Sequence, residues 1–185
     1  MLDYFINVSV PKSSGTPLRF PEEVNEFVSY QDDHTLTLRS GMQWQCVEYA
    51  RRYWMLAGKP EPAFFGGVVG AEDIWTELQD AYYLNGSTTP LLKYTNKVSD
   101  VAPKTGDLII YPRDGPDGEF PYGHVSVVGA VEGEKVFIAE QNFHSEPWPG
   151  PYHNYSRVLT LRQDSTTGRF ELYDSVHSIL GWIAY

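Results

Sequence analysis

From about residue 91 to its carboxyl end the chain is a string of short apolar runs, and this feature constrains the fold more than any other. LLKYT, DLIIY, GHVSVVGAV, KVFIAEQ, RVLTLR, FELYD and LGWIAY are each bounded by turn residues, and runs of that length and composition form strands. VEGEK and RQDSTTGRF have hairpin length, so the strands they join pair antiparallel. The preceding half reads differently. GMQWQCVEYARRYWMLAG, residues 41–58, puts Val47, Ala50, Trp54 and Ala57 on one face at helical spacing and stops at Gly58. Ile74, Leu78, Ala81 and Tyr82 predict a second helix ended by Asn85-Gly86, and Pro21 opens a short helix carrying Val24, Phe27 and Val28. Alternating Leu2, Tyr4, Ile6, Val8 and Val10 predict a half-buried strand, with PKSSGTPLR as the loop after it. Residues 60–71, rich in Pro and Gly, form a turn-rich connection whose Phe64 and Phe65 pack on the core. Helices first and an antiparallel sheet afterwards predict an α+β fold, with the helix at residues 46–57 laid across the sheet.

No repeat or low-complexity linker divides the 185 residues, and 42% hydrophobic content is enough for one core. A single domain over residues 1–185 is expected. Fourteen Lys plus Arg against 24 Asp plus Glu give a net charge of -10, which argues against nucleic acid or an anionic membrane as partner and tolerates a cationic substrate. MLDYFINVSV carries no basic segment, and no apolar run reaches the ~18 residues of a membrane span. The one cysteine excludes an internal disulfide and a cysteine-rich zinc site; HxxxH, HxH and GxxxxGK[ST] patterns are absent too. Neither metal nor cofactor is expected, and the expected compartment is a reducing cytoplasm.

That cysteine, Cys46, stands in the first turn of the helix, where unpaired N–H groups and the positive end of the helix dipole favour an anion. A thiolate is such an anion, so the position lowers the thiol pKa and makes a nucleophile. Thiol chemistry on an amide also needs a base and a group that orients it. His124 opens one strand behind Gly123, and Glu140 ends the next. Pairing through VEGEK brings both to the same edge. His144, in the rim loop NFHSEPWPGPYHN, is the rival base; His34, His153 and His177 stand in weaker contexts.

WQCVEYARR, GDLIIY, GHVSVV, VFIAEQN and ILGWIAY together resemble the cysteine, histidine-dependent amidohydrolase/peptidase family, and within it the glutathionylspermidine amidase branch. The resemblance covers residues 40–58 and 105–185 best. It implies a papain-like fold with Cys46 as nucleophile, His124 as base and Glu140 orienting it. It also implies that Arg51 holds a substrate carboxylate, although at 3.6 residues per turn Arg51 points about 140° away from Cys46. The helix start supplies an oxyanion site from the Cys46 N–H with Gln45, while Gln141 and Asn142 line the cleft. The implied reaction is hydrolysis of a glutathione–polyamine conjugate such as glutathionylspermidine, the chemistry of trypanothione metabolism, with no room in this chain for the fused synthetase of two-activity members. The alternatives are a cell-wall peptide hydrolase of the same family and a catalytically silent binding module.

Overall fold

The computed structural model describes residues 24–31, 34–42, 44–115, 118–143 and 155–185. The strand and loop predicted before residue 21 lie outside them. In chain order the elements are β1 (Val24–Gln31), β2 (His34–Met42), α1 (Cys46–Ala57), β3 (Ala63–Phe65), α2 (Glu72–Thr76), β4 (Asp80–Tyr83), β5 (Thr88–Pro90), β6 (Leu92–Thr95), β7 (Leu108–Tyr111), β8 (His124–Glu132), β9 (Lys135–Ala139), β10 (Arg157–Gln163), β11 (Phe170–Tyr173) and β12 (Gly181–Ala184).

The α+β class holds, and each run after residue 91 is a strand. Six antiparallel pairings build one seven-stranded sheet in the order β11-β10-β9-β8-β7-β12-β6. VEGEK is the β8–β9 turn, with Glu132 opposite Lys135. On one face of the sheet, Tyr49, Ala50 and Trp54 of α1 pack with Leu108, Ile110, Val125, Val127 and Ile183. On the other, Ile109, Val128, Val136, Ile138, Leu159, Leu172 and Trp182 meet one another because the sheet curls over them. The curl is closed by Asn96, just beyond β6. Its side-chain amide donates to Leu172 O at 3.0 Å and accepts from Leu172 N at 2.8 Å. Beside it, backbone bonds from Lys97 N to Phe170 O at 2.9 Å and from Phe170 N to Ser99 O at 2.8 Å join the same two edges.

Two predicted helices are corrected. The segment after Pro21 is β1, not a helix: it pairs along its length with β2. Eight residues are too few for a self-sufficient helix in water, and HTLTLRSGM supplies the backbone partners of a hairpin. The second helix is only Glu72–Thr76. Ala81 and Tyr82, counted for its apolar face, belong to β4 and pair with Phe65 and Phe64 of β3. Lys93 Nζ ends the helix by donating to the carbonyls of Trp75 and Leu78. Asn85-Gly86 turns a β4–β5 hairpin instead of capping a helix: Gly86 has φ +86°, and Ser87 N donates to Asn85 Oδ1 at 2.8 Å.

The β8–β9 register depends on a bulge. Ala130, Val131 and Glu132 pair with Phe137, Val136 and Lys135, but Val127 and Val128 pair with Ala139 and Ile138, so the register slips by one residue at Gly129. Side chains alternate along a strand, and a one-residue slip exchanges faces. The slip puts His124, Ser126 and Val128 on the face that Ile138 and Glu140 share. Without it Glu140 would fall opposite Val127 and face away from His124.

Candidate active site

Cys46 owes its position to the approach. Trp44 takes a left-handed φ of 66°, and Gln45 returns to extended backbone at φ -87°, ψ 155°, so the helix starts abruptly at Cys46. Its first intrahelical bond runs from Tyr49 N to Gln45 O at 3.0 Å, which leaves the N–H groups of Cys46, Val47 and Glu48 outside the helical ladder. Cys46 is 9% exposed. Burial pushes its thiol pKa up, but the charge and hydrogen bond of His124 and the N–H groups of Val125 and Val47 outweigh it, and the net direction is down.

His124 arrives from the opposite wall. Gly123 before it has φ +73°, and a Cβ there would come within 2.8 Å of Glu72 N and Tyr111 O, so only glycine fits. The ring stacks on Phe120 at 4.8 Å, 12° from parallel, with Tyr111 and Phe143 around it. Nε2 donates to Glu140 Oε2 at 2.9 Å, leaving Nδ1 for the thiol. Burial disfavours the imidazolium, yet Cys46 and Glu140 together raise its pKa to about 9. Burial also works against the Glu140 carboxylate, which the hydrogen bonds of His124 and Arg157 bring down to about 2. Each shift favours the charged form, thiolate at Cys46, imidazolium at His124 and carboxylate at Glu140, the set that can attack an amide carbonyl and protonate the leaving amine.

Residues 37–142, more than half the chain, match the CHAP domain family model. This chain belongs to the CHAP family. Its α+β architecture is the papain-like one expected from the sequence. Glutathionylspermidine synthase of Crithidia fasciculata is 33% identical over 147 residues, 78% of this chain and 19% of the relative. The bifunctional glutathionylspermidine synthetase/amidase of Escherichia coli (strain K12) is 33% identical over 169 residues, 88% of this chain and 25% of the relative. Trypanothione synthetase of Crithidia fasciculata is 28% identical over 157 residues, covering 78% and 21%. The chain thus spans about a fifth to a quarter of the length of these curated relatives. The solved structure of Ly7917 with the hydrolyzing product of MDP overlaps with a TM-score of only 0.41 at 16% identity, over 77% of this chain and 54% of its own.

In this CHAP domain the pair Cys46–His124 opens into a cavity of about 750 Å³. Asn142, at φ +57°, reaches into it and donates from Nδ2 to Gln45 Oε1 at 2.8 Å. That bond turns the Gln45 amide so that its NH₂ end is the free one. Gln141 is buried outside the cavity, with Oε1 accepting from Arg52 Nη2 at 3.4 Å. Arg51 borders the cavity but is only 7% exposed. Its guanidinium donates to Phe65 O at 2.9 Å, Gly66 O at 2.8 Å and Ser40 O, tying β2 to the loop after β3, and burial lowers its pKa to about 10. Three of its five donors are thus spent on the walls of the cleft. His144 and His153 lie outside the described residues. His177 is bound to Glu119 at 2.8 Å and stands near Asp174 rather than the thiol.

Among the described residues, no group of three or more His, Cys, Asp or Glu side chains could hold a metal ion. No helix there is long and apolar enough to cross a membrane. Ser156 and Arg157, which grip Glu140, carry no signal in the sequence. They stand 16 and 17 residues beyond Glu140 in the chain, and only the β9–β10 register, Arg157 opposite Ile138, brings them beside the end of β9.

Proposed function

We propose that this CHAP domain is a cysteine amidohydrolase that cleaves the amide between the glycine carboxyl of glutathione and a polyamine, as in glutathionylspermidine. The observation that carries the reading is the buried Cys46–His124–Glu140 row opening into a cleft, in a chain one third identical to glutathionylspermidine enzymes. Cys46 Sγ attacks the carbonyl carbon. The negative oxygen that forms is met by the Cys46 N–H and the Gln45 NH₂. His124 gives its proton to the departing amine and then takes one from the water that frees glutathione. Val68, Val69, Phe120 and Pro121 offer apolar walls to a methylene chain. Asn142 holds Gln45 in its donating orientation, Gln141 accepts from Arg52 of α1 outside the cleft, and Arg51 sets the cleft wall where a substrate carboxylate would lie. The reducing interior of a cell is the matching compartment.

The deciding experiment incubates the protein separately with glutathionylspermidine, a bis-glutathionyl polyamine and purified wall peptides, and measures released amine. Release from the glutathione conjugates, abolished by Cys46→Ala, is expected. Release from wall peptides alone would move the activity to the other branch of the family, and none from any substrate would leave a binding module.

A further inference from the structure

Glu140 is gripped from behind more strongly than orienting an imidazole requires. Its Oε1 accepts from Ser156 Oγ at 2.6 Å and Arg157 Nε at 2.7 Å, and its Oε2, already bonded to His124, accepts from Arg157 Nη2 at 3.1 Å. The other end of the same guanidinium donates from Nη1 to Asp174 Oδ2 at 2.7 Å, and Nη2 meets the Tyr111 hydroxyl at 3.2 Å. Its flat face lies 4.0 Å over the Phe143 ring. The carboxylates at its two ends are 1% and 4% exposed, so neither has water to replace the cation.

We infer that Arg157 is a positioning residue of the reaction: it fixes the plane of the Glu140 carboxylate and, anchored by Asp174, ends a row of alternating charges, Asp174, Arg157, Glu140, His124 and Cys46. Each member sits between neighbours of opposite sign or ends the row beside one. A fork-shaped donor is needed, because one side chain must satisfy both oxygens of Glu140 and reach Asp174 as well. Without it Glu140 and Asp174 become buried carboxylates with no cation between them. A carboxyl that loses an opposite charge within about 4–6 Å rises by roughly 1–3 pKa units. The row also loses one positive charge. Both changes favour protonation, and as Glu140 takes up a proton the imidazolium loses its anion and the thiolate loses its cation.

The inference rests on the Cys46–His124–Glu140 reading but not on the identity of the substrate. Other groups face this row. Tyr111 and Tyr49 lie in the field of Glu140, while His177 stands 3.7 Å from Asp174 with Glu119 on its far nitrogen. The test is the rate of Cys46 alkylation by iodoacetamide as a function of pH, on the full chain, for wild type, Arg157→Gln, Arg157→Lys and His177→Gln, with folding followed by circular dichroism. The acid limb should move up by about one unit or more in Arg157→Gln. In Arg157→Lys it should stay near the wild-type position while amide turnover falls about tenfold, since the charge remains and the fork is lost. If Arg157→Gln does not fold, the lysine variant decides: wild-type turnover from it overturns the inference. So does an unmoved limb in a folded Arg157→Gln, which would make Arg157 a structural latch only. A limb moved equally by His177→Gln would give the titration to that ring, with the same consequence. If wild-type Cys46 reacts like an ordinary thiol, it is the three-residue reading that fails. Shifted limbs without hydrolysis of any glutathione conjugate would leave this inference standing and remove only the substrate.

Discussion

At Cys46 two effects oppose each other, burial raising the thiol pKa and the imidazolium lowering it, and the imidazolium prevails. His124 pays for this by holding its proton up to about pH 9. Its folded pKa is raised, so its contribution to stability is complete below the ordinary value of 6.5 and is lost as pH climbs through about 9. For Glu140 the sign reverses: its contribution is complete above 4.5 and lost as pH falls through about 2. Amide hydrolysis should therefore decline above about pH 9, where the leaving amine has no proton donor, while alkylation of Cys46 continues undiminished. Parallel pH profiles of kcat/KM and alkylation check this, and a joint decline of the two would contradict it. His124→Ala should cost roughly 10²–10⁴ in turnover. Arg51 is a separate question. Removing a buried guanidinium from three carbonyls should cost on the order of 3 kcal/mol in Arg51→Ala, read from the denaturant midpoint. Unchanged stability with KM raised ten- to hundredfold would show instead that the guanidinium serves the substrate.

Among the elements, β8 decides whether the site exists. The extra residue at Gly129 turns His124 and Ser126 to the face of Glu140, so deleting Gly129 should rotate them away and abolish hydrolysis, whereas Gly129→Ala should nearly preserve it. A Cβ there would stand 3.3 Å from Phe137 O, a contact that small local movements relieve. Activity assays on the two variants separate register from crowding, and full activity in the deletion would show that the bulge is dispensable. The helix α1 was legible because its apolar residues repeat every three to four positions and Gly58 stops it; there, a Cβ would run into Trp54 O and the Tyr185 hydroxyl. The helix expected over residues 74–82 failed for a physical reason. Ala81 and Tyr82 fit a helical face, but β3 offered them backbone partners that no local pattern could announce.

For the molecule as a whole, closure of the curled sheet rests on few groups. Asn96 satisfies both backbone groups of Leu172 and also donates to Ile179 O at 3.3 Å. Asn96→Ala should leave these groups without partners and cost about 2 kcal/mol, a fall of roughly 5 °C in Tm for a chain of this size. Thermal unfolding checks it, and an unchanged Tm would mean that side-chain packing and the backbone bonds of Phe170 with Lys97 and Ser99 close the sheet without the amide. The cleft is likewise a property of the assembled whole. Its lining comes from the end of β2, the start of α1, the loops after β3 and before β8, and Asn142, three residues beyond the end of β9.

The sequence by itself determined the α+β class, the strands after residue 91, the helix beginning at Cys46 and the candidacy of His124 and Glu140, because periodicity, turn residues and a lone thiol are local properties. Tertiary structure alone decided the bulge that turns Glu140 toward His124, the β1–β2 hairpin, the three-stranded sheet in place of a long second helix, and the grip on Glu140 of Arg157, itself anchored by Asp174. Each of these depends on a backbone or charge partner distant in the chain, and one chain's residue pattern carries no term for the free energy of a partner it has not yet met.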